Sequence, residues 1–416
     1  MTTGEPRSRV AVTGLGVVSS LGLGKQDFWR GLREGQSGIK PITLFDTSMT
    51  RAKLGAEVPD FHPEAILGPK GLRLLDRVTK LGLCAAKLAL DDSGLAMTEE
   101  TAGEIGIVLG TTYGSMASRM DYYLEAIQQG PRSVNPALFP NTIANSPASQ
   151  IAIRFGIRGF NITLSTGFTS AIEAALHAER FIRANRVRAV LVGGVEELSP
   201  VTYLAFDRTG MLSSQTDRNQ ELCAPYDARR NGTVLGEGAG MLLLEDLESA
   251  RRRGAHIYAE FLGGAAVTDP EAYFRYRIHT GQGVRCIQEA LAKSRTAPEA
   301  IDYVAAGANS HRAGDAAEAR SLWGALGNGR RQIVASASKS MLGETFSASG
   351  GLQIAAALLS LEQGLIPPTL HYEQPDPRCP LDCVPNQARE AKIDRVLVFS
   401  QSPLCQSAAC VLGRHP

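Results

Sequence analysis

The chain has 416 residues, of which 44% are apolar and 20% are charged, and its formal net charge is +1. This composition is ordinary for a globular protein. The near-zero charge argues against nucleic acid as a partner, because phosphate binding needs a concentrated basic excess. No apolar run reaches the ~18 residues of a membrane span, so we expect no membrane partner and a cytoplasmic location. Seven scattered cysteines predict neither a disulfide framework nor a metal site.

Short apolar runs alternate with helical periods along the chain, a pattern typical of sheets that are covered by helices on both faces. The predicted strands are Val10–Thr13, Ile105–Leu109, Ile162–Leu164, Ala189–Val192, Met241–Leu244, Tyr258–Leu262, Tyr303–Ala305, Ile333–Ala335, Val396–Phe399 and Ala408–Leu412. The predicted helices are Thr79–Leu90, Ser115–Gln128, Thr169–Ala184, Gly283–Lys293, Asp315–Leu326 and Thr345–Leu361.

One strand–turn–helix elbow stands out at residues 161–178, with Phe168 at its turn. The N–H groups and the dipole of a helix N-terminus stabilise an anion at such a point. A cysteine there would become a thiolate nucleophile. A phenyl ring has no such chemistry.

Five stretches, in order, carry a resemblance to a known family: Val10–Gly22, Asp76–Leu95, Asp207–Glu245, Tyr303–Glu318 and Ser338–Gly350. Together they resemble the β-ketoacyl-acyl carrier protein synthase family, closest to the type II condensing enzymes of fatty acid and aromatic polyketide synthesis. The resemblance implies a thiolase-like α/β fold with five layers, α-β-α-β-α. It also implies two related halves, residues 1–256 and 257–416, and no cofactor.

The family's catalytic set, one cysteine and two histidines, falls on three residues without that chemistry. These are Phe168, Gly307 and Glu344. The family's glycine-rich loop, which brings backbone N–H groups to an oxyanion, falls on residues 399–405, where Pro403 removes a donor. We therefore predict that the chain is not an enzyme on its own, but a subunit of a β-ketoacyl synthase complex. Phe168 is interpreted as a plug in the thiol's pocket, with drift after loss of function as the alternative.

The alternative function is a degenerate enzyme with rebuilt acyl-transfer or decarboxylase chemistry. It would use Glu344 as a base or an elbow hydroxyl of Ser165, Thr169 or Ser170 as a nucleophile. We favour an ion pair between Glu344 and Lys339. The resemblance places Lys339, Asp315 and Glu318 in a buried charged network behind the site.

The resemblance also implies that the helix after residues 110–114 lies at a dimer interface, beside the partner's acyl tunnel. The candidates for filling that tunnel, or for simple interface packing, are Tyr113, Met116, Met120, Tyr123, Phe139 and Thr142. Lys70 and Arg73 match basic docking residues of the family. Arginines at positions 180–188 and 251–253 predict either a solvated face or a dock for an acidic carrier protein.

With these substitutions in a preserved set of family stretches, the chain resembles a chain length factor, the ketosynthase β chain of type II polyketide synthases. Such a subunit forms a heterodimer with an active ketosynthase and shapes the cavity in which a polyketide or polyene grows on the phosphopantetheine arm of an acyl carrier protein. The subunits commonly carry glutamine where this chain has Phe168. A homodimeric binding protein for acyl chains or carrier proteins is a third hypothesis.

Overall fold

A computed structural model describes residues 8–217, 220–273, 276, 281–327, 329 and 332–415. The strands are β1 Val10–Ser19, β2 Gly22–Leu23, β3 Lys40–Pro41, β4 Leu54–Gly55, β5 Ile105–Gly110, β6 Asn161–Leu164, β7 Ala189–Glu196, β8 Gly238–Asp246, β9 Ala259–Tyr273, β10 Tyr303–Ala305, β11 Ala335–Ser336, β12 Leu365–Ile366, β13 Arg389–Glu390, β14 Arg395–Gln401 and β15 Leu404–Gly413.

The helices are α1 Lys25–Glu34, α2 Glu64–Leu67, α3 Arg77–Ser93, α4 Glu99–Ala102, α5 Met116–Gln129, α6 Ser146–Phe155, α7 Ser170–Arg183, α8 Pro200–Thr209, α9 Leu247–Arg252, α10 Gln282–Ser294, α11 Arg312–Leu326, α12 Lys339–Leu342 and α13 Ser347–Gln363. Three short 3₁₀ turns cover Pro136–Thr142, Gly167–Thr169 and Pro298–Ala300.

The main strands run in the order β11-β10-β14-β15-β9-β1-β8-β7-β5-β6. Each half contributes five strands. Numbered within its own half, each set has the order 3-2-4-5-1, counted inward from its outer edge. The parallel and antiparallel pairings also repeat between the halves. The two sets meet where Ala11 and Val12 of β1 pair with Glu260 and Ala259 of β9. The predicted two related halves are thus visible in the topology.

Helices cover the strands in layers. Helices α7 and α13 pack in one apolar core with strands of both halves, so they form the central layer. Helices α3 and α6 cover the N-terminal strands, while α10 and α11 cover the C-terminal strands. The resulting order is α-β-α-β-α, and the predicted fold class is confirmed. The apolar strand runs have this pattern because both faces of each strand set are buried.

Every predicted strand and helix is present. Tyr303–Ala305 has the predicted bounds, the other bounds are shifted, and the largest shift extends β9 by eleven residues beyond Leu262 to Tyr273. Three helices of ten residues were missed, Lys25–Glu34, Ser146–Phe155 and Pro200–Thr209, as were the four shorter helices α2, α4, α9 and α12. Within the described part of the chain, no helix combines the length and the apolarity of a bilayer span.

Candidate active site

The elbow begins where β6 ends, passes through the turn Gly167–Thr169 and continues into α7. Gly167 supplies the left-handed conformation of this turn, with φ 74°, which a residue without a Cβ adopts at low cost. Phe168 follows it and is buried, with 1% of its surface exposed. The elbow therefore has the expected local geometry, but it presents a phenyl ring to the interior.

Four aromatic side chains surround this position and form what we call the aromatic plug: Tyr113, Phe168, Phe206 and Phe346. The ring centroid of Phe346 lies 5.3 Å from those of Phe168, Phe206 and Tyr113 alike, each in an edge-to-face arrangement. Such pairs add to the stability gained by apolar burial. Phe346 has φ 50°, an unfavourable value for a bulky residue, so the packing holds it in place.

Gly307, at the first expected histidine position, follows β10. Its N–H donates to Oε1 of Glu318 over 2.7 Å. A Cβ placed on this residue would lie 2.9 Å from the carbonyl oxygen of Phe399 and from Cα of Ser400. Because both neighbours are backbone atoms, an imidazole does not fit here unless the adjacent strand moves.

Glu344, at the second histidine position, has both carboxylate oxygens occupied. Oε2 lies 2.8 Å from Nζ of Lys339 and accepts from Nδ2 of Asn309, also over 2.8 Å. Oε1 accepts from the N–H of Phe346 and the hydroxyl of Ser349. A base must have an accessible lone pair, and four donors already hold this fully buried carboxylate.

Asp315 and Glu318 lie on α11 and join the same buried network. Asp315 accepts from the N–H groups of Asn309 and Tyr226, and it lies 3.2 Å from Nε of the buried Arg230. Glu318 accepts from the hydroxyl of Tyr226. Burial raises the pKa of Asp315 to about 6 and that of Glu318 to about 7. Asn309 links these carboxylates to Glu344 and hence to Lys339.

The loop that replaces the family's glycine-rich segment is the tight connection between β14 and β15. It closes on itself, with the N–H of Ser402 donating to the carbonyl of Gln406. Ser402 and Leu404 pack against Gly167, because a Cβ there would approach their side chains to 2.9 Å and 3.2 Å. Side chains from this loop thus close the elbow from the C-terminal half.

The elbow hydroxyls all have hydrogen-bond acceptors. Ser170 donates to the carbonyl of Gly167 over 2.6 Å, and Thr169 donates to Glu173 over 2.7 Å. Both residues are buried, whereas Ser165 is exposed and donates to the carbonyl of Thr112. Among the residues that the structure describes, no group of three or more His, Cys, Asp or Glu side chains is placed to hold a metal ion.

The predicted interface residues separate into an inner and an outer group. Tyr113 belongs to the plug, and Thr142 is buried in its own chain, donating to the carbonyl of Phe139. Tyr113 is half-buried and Thr142 is buried within this chain, so these two form the inner group, and their role at a tunnel or dimer interface stays a prediction. Half-exposed Met116 and Met120, with exposed Tyr123 and Phe139, form the outer group.

The outer group lies at the surface of the chain, on α5 and on the turn Pro136–Thr142. No residue of α5 is buried. Exposed large apolar side chains also lie on α5 and on the segments that follow it, and their exposed fractions are Ile127 (80%), Ile153 (73%), Tyr123 (53%), Phe139 (53%), Ile143 (43%) and Leu124 (42%). We call these residues together the α5 face. Exposed apolar side chains in such number are typical of an interaction site.

Lys70 and Arg73, the predicted docking residues, are exposed in the segment between α2 and α3. Arg154 of α6 holds that segment through the carbonyls of Leu67 and Lys70. Sequence reasoning missed Phe206, Phe346 and the network members Asn309 and Arg230. Their nearest signal was position: Phe206 immediately precedes the densest matching stretch, and Phe346 lies two residues after Glu344.

Comparison with known proteins identifies the family. The N-terminal domain model of β-ketoacyl synthases matches residues 7–250, and the C-terminal domain model matches residues 258–373. A "3-oxoacyl-[acyl-carrier-protein] synthase 2" of Coxiella burnetii is 36% identical over 94% of this chain and 95% of its own length. The "Tetracenomycin polyketide synthase ketoacyl synthase alpha subunit" of Streptomyces glaucescens is 33% identical over 99% of this chain and 98% of its own length.

Solved structures agree in fold. A structure titled "The ishigamide ketosynthase/chain length factor" superposes with a TM-score of 0.91 at 33% identity, covering 99% of this chain and 100% of the other. A type II polyketide ketosynthase solved in complex with its acyl-carrier protein gives 0.90 at 28% identity, covering 99% and 100%.

One expectation from the sequence is overturned by these findings. The chain was predicted not to be an enzyme, yet the relatives that match almost its whole length are named as synthases, in several bacteria. The substitutions at three positions do not remove the chain from that group of enzymes. The chain belongs to the β-ketoacyl synthase family and has the fold of the type II polyketide ketosynthases.

Proposed function

We propose that this chain is the chain-length-determining subunit of a two-chain ketosynthase enzyme. It pairs with a ketosynthase that carries the cysteine thiol, and it limits the space into which the acyl chain grows. The observation that carries this proposal is the aromatic plug. Four interlocked rings occupy the interior behind the elbow, so a growing chain that reaches this point meets a wall.

The uncovered surface supports pairing with a second chain. The α5 face is apolar and exposed, and β6 is the last strand of the sheet in the described part of the chain, with an open edge. An open edge presents unpaired N–H and C=O groups that another strand can satisfy. Obligate subunit interfaces have this apolar character.

The position of Tyr113 supports a role in length control. Its N–H and those of its two neighbours donate to Glu196, a fully buried carboxylate that also accepts from the hydroxyl of Ser347. This anchor fixes the loop between β5 and α5, which runs from the plug to the α5 face. A single rigid loop therefore links the wall to the surface where a partner's acyl chain would enter.

Two of the structural neighbours supply the chemistry of the proposal. One is a ketosynthase with a chain length factor, and the other is a type II ketosynthase in complex with its acyl-carrier protein. By analogy, the partner of this chain is a cysteine-bearing ketosynthase, and the substrate is an acyl or polyketide chain on a carrier protein's phosphopantetheine arm.

Co-production with such a ketosynthase and a carrier protein tests the proposal. We expect one copy of each large chain in the purified complex by native mass spectrometry. Tyr113→Ala and Met120→Ala should shift the products to longer chains, because each removes bulk along the proposed path. Met49→Ala, at an exposed residue of the loop between β3 and β4, is the matched control.

Two outcomes would contradict the proposal. The first is an unchanged product distribution in both variants while the complex remains intact. The second is a stable homodimer that does not bind the ketosynthase, a result that would support the hypothesis of a homodimeric binding protein instead.

A further inference from the structure

A groove of about 580 Å³ lies at the end of the N-terminal strands opposite the elbow. Glu104, immediately before β5, and residues 185–188, immediately before β7, line one side. Asp246 at the end of β8 and the helix α9 line the other. The elbow follows the carboxyl end of the parallel strand β6, and the fourteen residues of α7 separate it from the groove, a distance of about 21 Å along the helix axis.

Two arginine groups that are distant in the sequence converge in this groove. They are Arg186 and Arg188 on one wall, and Arg252 and Arg253 on the other. We call it the arginine groove. Arg253 is already committed, since it pairs with Glu245 over 2.8 Å and donates to the carbonyl of Ser93.

Of the remaining three arginines, two have no ion pair with the described residues and the third has a buried donor without an acceptor. Arg186 and Arg252 are exposed and form no ion pair with any residue that the structure describes. Nε of Arg188 is buried and has no hydrogen-bond acceptor within the described residues, and its Nη2 is 3.7 Å from Glu245. A buried donor without an acceptor is costly in free energy, so an anionic ligand that reached it would be favoured.

We propose that the arginine groove binds an acidic segment of a partner protein through its carboxylate side chains. Guanidinium groups pair well with carboxylates, which accept two parallel hydrogen bonds. Phosphate is the weaker fit for two reasons. The N-terminus of α9 already has its anion, because Asp246 accepts from the N–H of Ser249 over 2.8 Å. Glu104 and Asp246 also repel a doubly charged phosphate more strongly than single carboxylates spaced along a peptide.

The distance from the elbow separates this surface from substrate delivery. A carrier protein docked here would hold its phosphopantetheine arm at the wrong end of α7. The groove therefore holds a partner in place and does not present an acyl chain, and the inference stands independently of the proposed function.

The test is binding of a fluorescently labelled oligoglutamate peptide to the purified full-length protein at low salt, measured by fluorescence anisotropy. The combined substitution Arg186→Glu and Arg252→Glu should weaken binding about tenfold, the size expected from two exposed ion pairs turned into repulsions. Arg320→Glu is the matched control, because Arg320 is an exposed arginine on α11 and likewise has no ion pair with the described residues. Thermal unfolding of all three proteins verifies that the surface changes leave the fold intact.

Retention of affinity in the control together with a loss in the double variant supports the proposal, and so does a steep decline of affinity with added salt. Equal affinities in all three proteins would overturn it, as would the absence of any binding by the unsubstituted chain. Pyrophosphate is tested as a competitor of the labelled peptide. If it displaces the peptide at a lower concentration than unlabelled oligoglutamate does, the groove prefers phosphate and the assignment to an acidic peptide is overturned.

Discussion

Glu344→Gln is the sharpest test of what the second expected histidine position does. Lys339 and Glu344 are both buried, with side-chain exposures of 2% and 0%. Neutralising one partner leaves the other charge buried and unpaired, which costs about 3–5 kcal/mol. The amide adds a second penalty. Whichever way it is oriented, its NH₂ group meets donors, either Lys339 and Asn309 on one side or Phe346 and Ser349 on the other.

Urea unfolding of the purified protein, followed by far-ultraviolet circular dichroism, measures this loss by linear extrapolation. The matched control combines Lys339→Met with Glu344→Gln. Removing the ammonium as well removes the unpaired charge, so we expect the double variant to regain at least half of the lost free energy of unfolding. Recovery of that kind is the signature of a coupled pair.

A different result would refute the ion-pair interpretation. If Glu344→Gln unfolds at the same urea concentration as the unsubstituted protein while the condensation rate of the complex falls by orders of magnitude, the carboxylate is a base. The hydrogen bonds described above would then be features of a resting state.

Three further predictions follow from burial and geometry. Burial raises the pKa of Glu197 to about 7 from an ordinary value of 4.5; the folded state therefore binds more protons between these values, and stability falls as pH rises from about 4.5 to 7. Glu197→Gln should make this decline shallower, leaving the part that comes from Asp315 and Glu318, and should stabilise the protein at pH 8 by about 1–3 kcal/mol in thermal unfolding. An identical pH dependence in both proteins would refute the shift of Glu197. Ile127→Asp combined with Ile153→Asp should weaken pairing with the proposed partner ketosynthase at least about a hundredfold in size-exclusion or titration experiments, because unpaired carboxylates would be buried in the interface. Met49→Asp is the control and should leave the pairing unchanged. Pairing that survives the double substitution would exclude the α5 face as the interface. Gly307→Ala should lower the free energy of unfolding by about 1–3 kcal/mol, since the new Cβ would lie 2.9 Å from backbone atoms. Gly103→Ala is the control, because no atom lies within 4 Å of its Cβ, and it should change stability by less than about 0.5 kcal/mol. Equal losses in both variants would show that the strand beside Gly307 moves to make room.

The strands and the central helices were predictable because both sheets are buried on both faces. Runs such as residues 105–109 and 396–399 are short and apolar throughout, which is typical of strands that are buried on both faces. Two missed helices had usable signals. Helices Ser146–Phe155 and Pro200–Thr209 both have proline in the first turn, and Ser199 caps the second by accepting from the N–H of Thr202.

The site was predictable in position but not in shape. The resemblance located Phe168, Gly307 and Glu344, and the structure places all three in the interior. Phe346 contacts the ring of Phe168 and donates its N–H to Glu344, while Gly307 donates to Glu318 of the same buried network. That Phe206 and Phe346 would meet the ring of Phe168 is a matter of tertiary packing between segments some forty and one hundred and eighty residues away, which no local period encodes. The same holds for Thr142, whose burial depends on how the turn Pro136–Thr142 folds back under its own chain.

The exposed α5 face and the edge strand β6 have a consequence for how the protein is made in a cell. A newly synthesised copy that meets no partner subunit exposes an apolar surface and a strand edge, and its self-association then competes with correct assembly. Copies made in excess of the partner subunit would be lost to aggregation or proteolysis. On the proposed pairing, the two polypeptides are best synthesised side by side and in equal amounts, and expression of this one alone should give poor yields that rise when both are produced together.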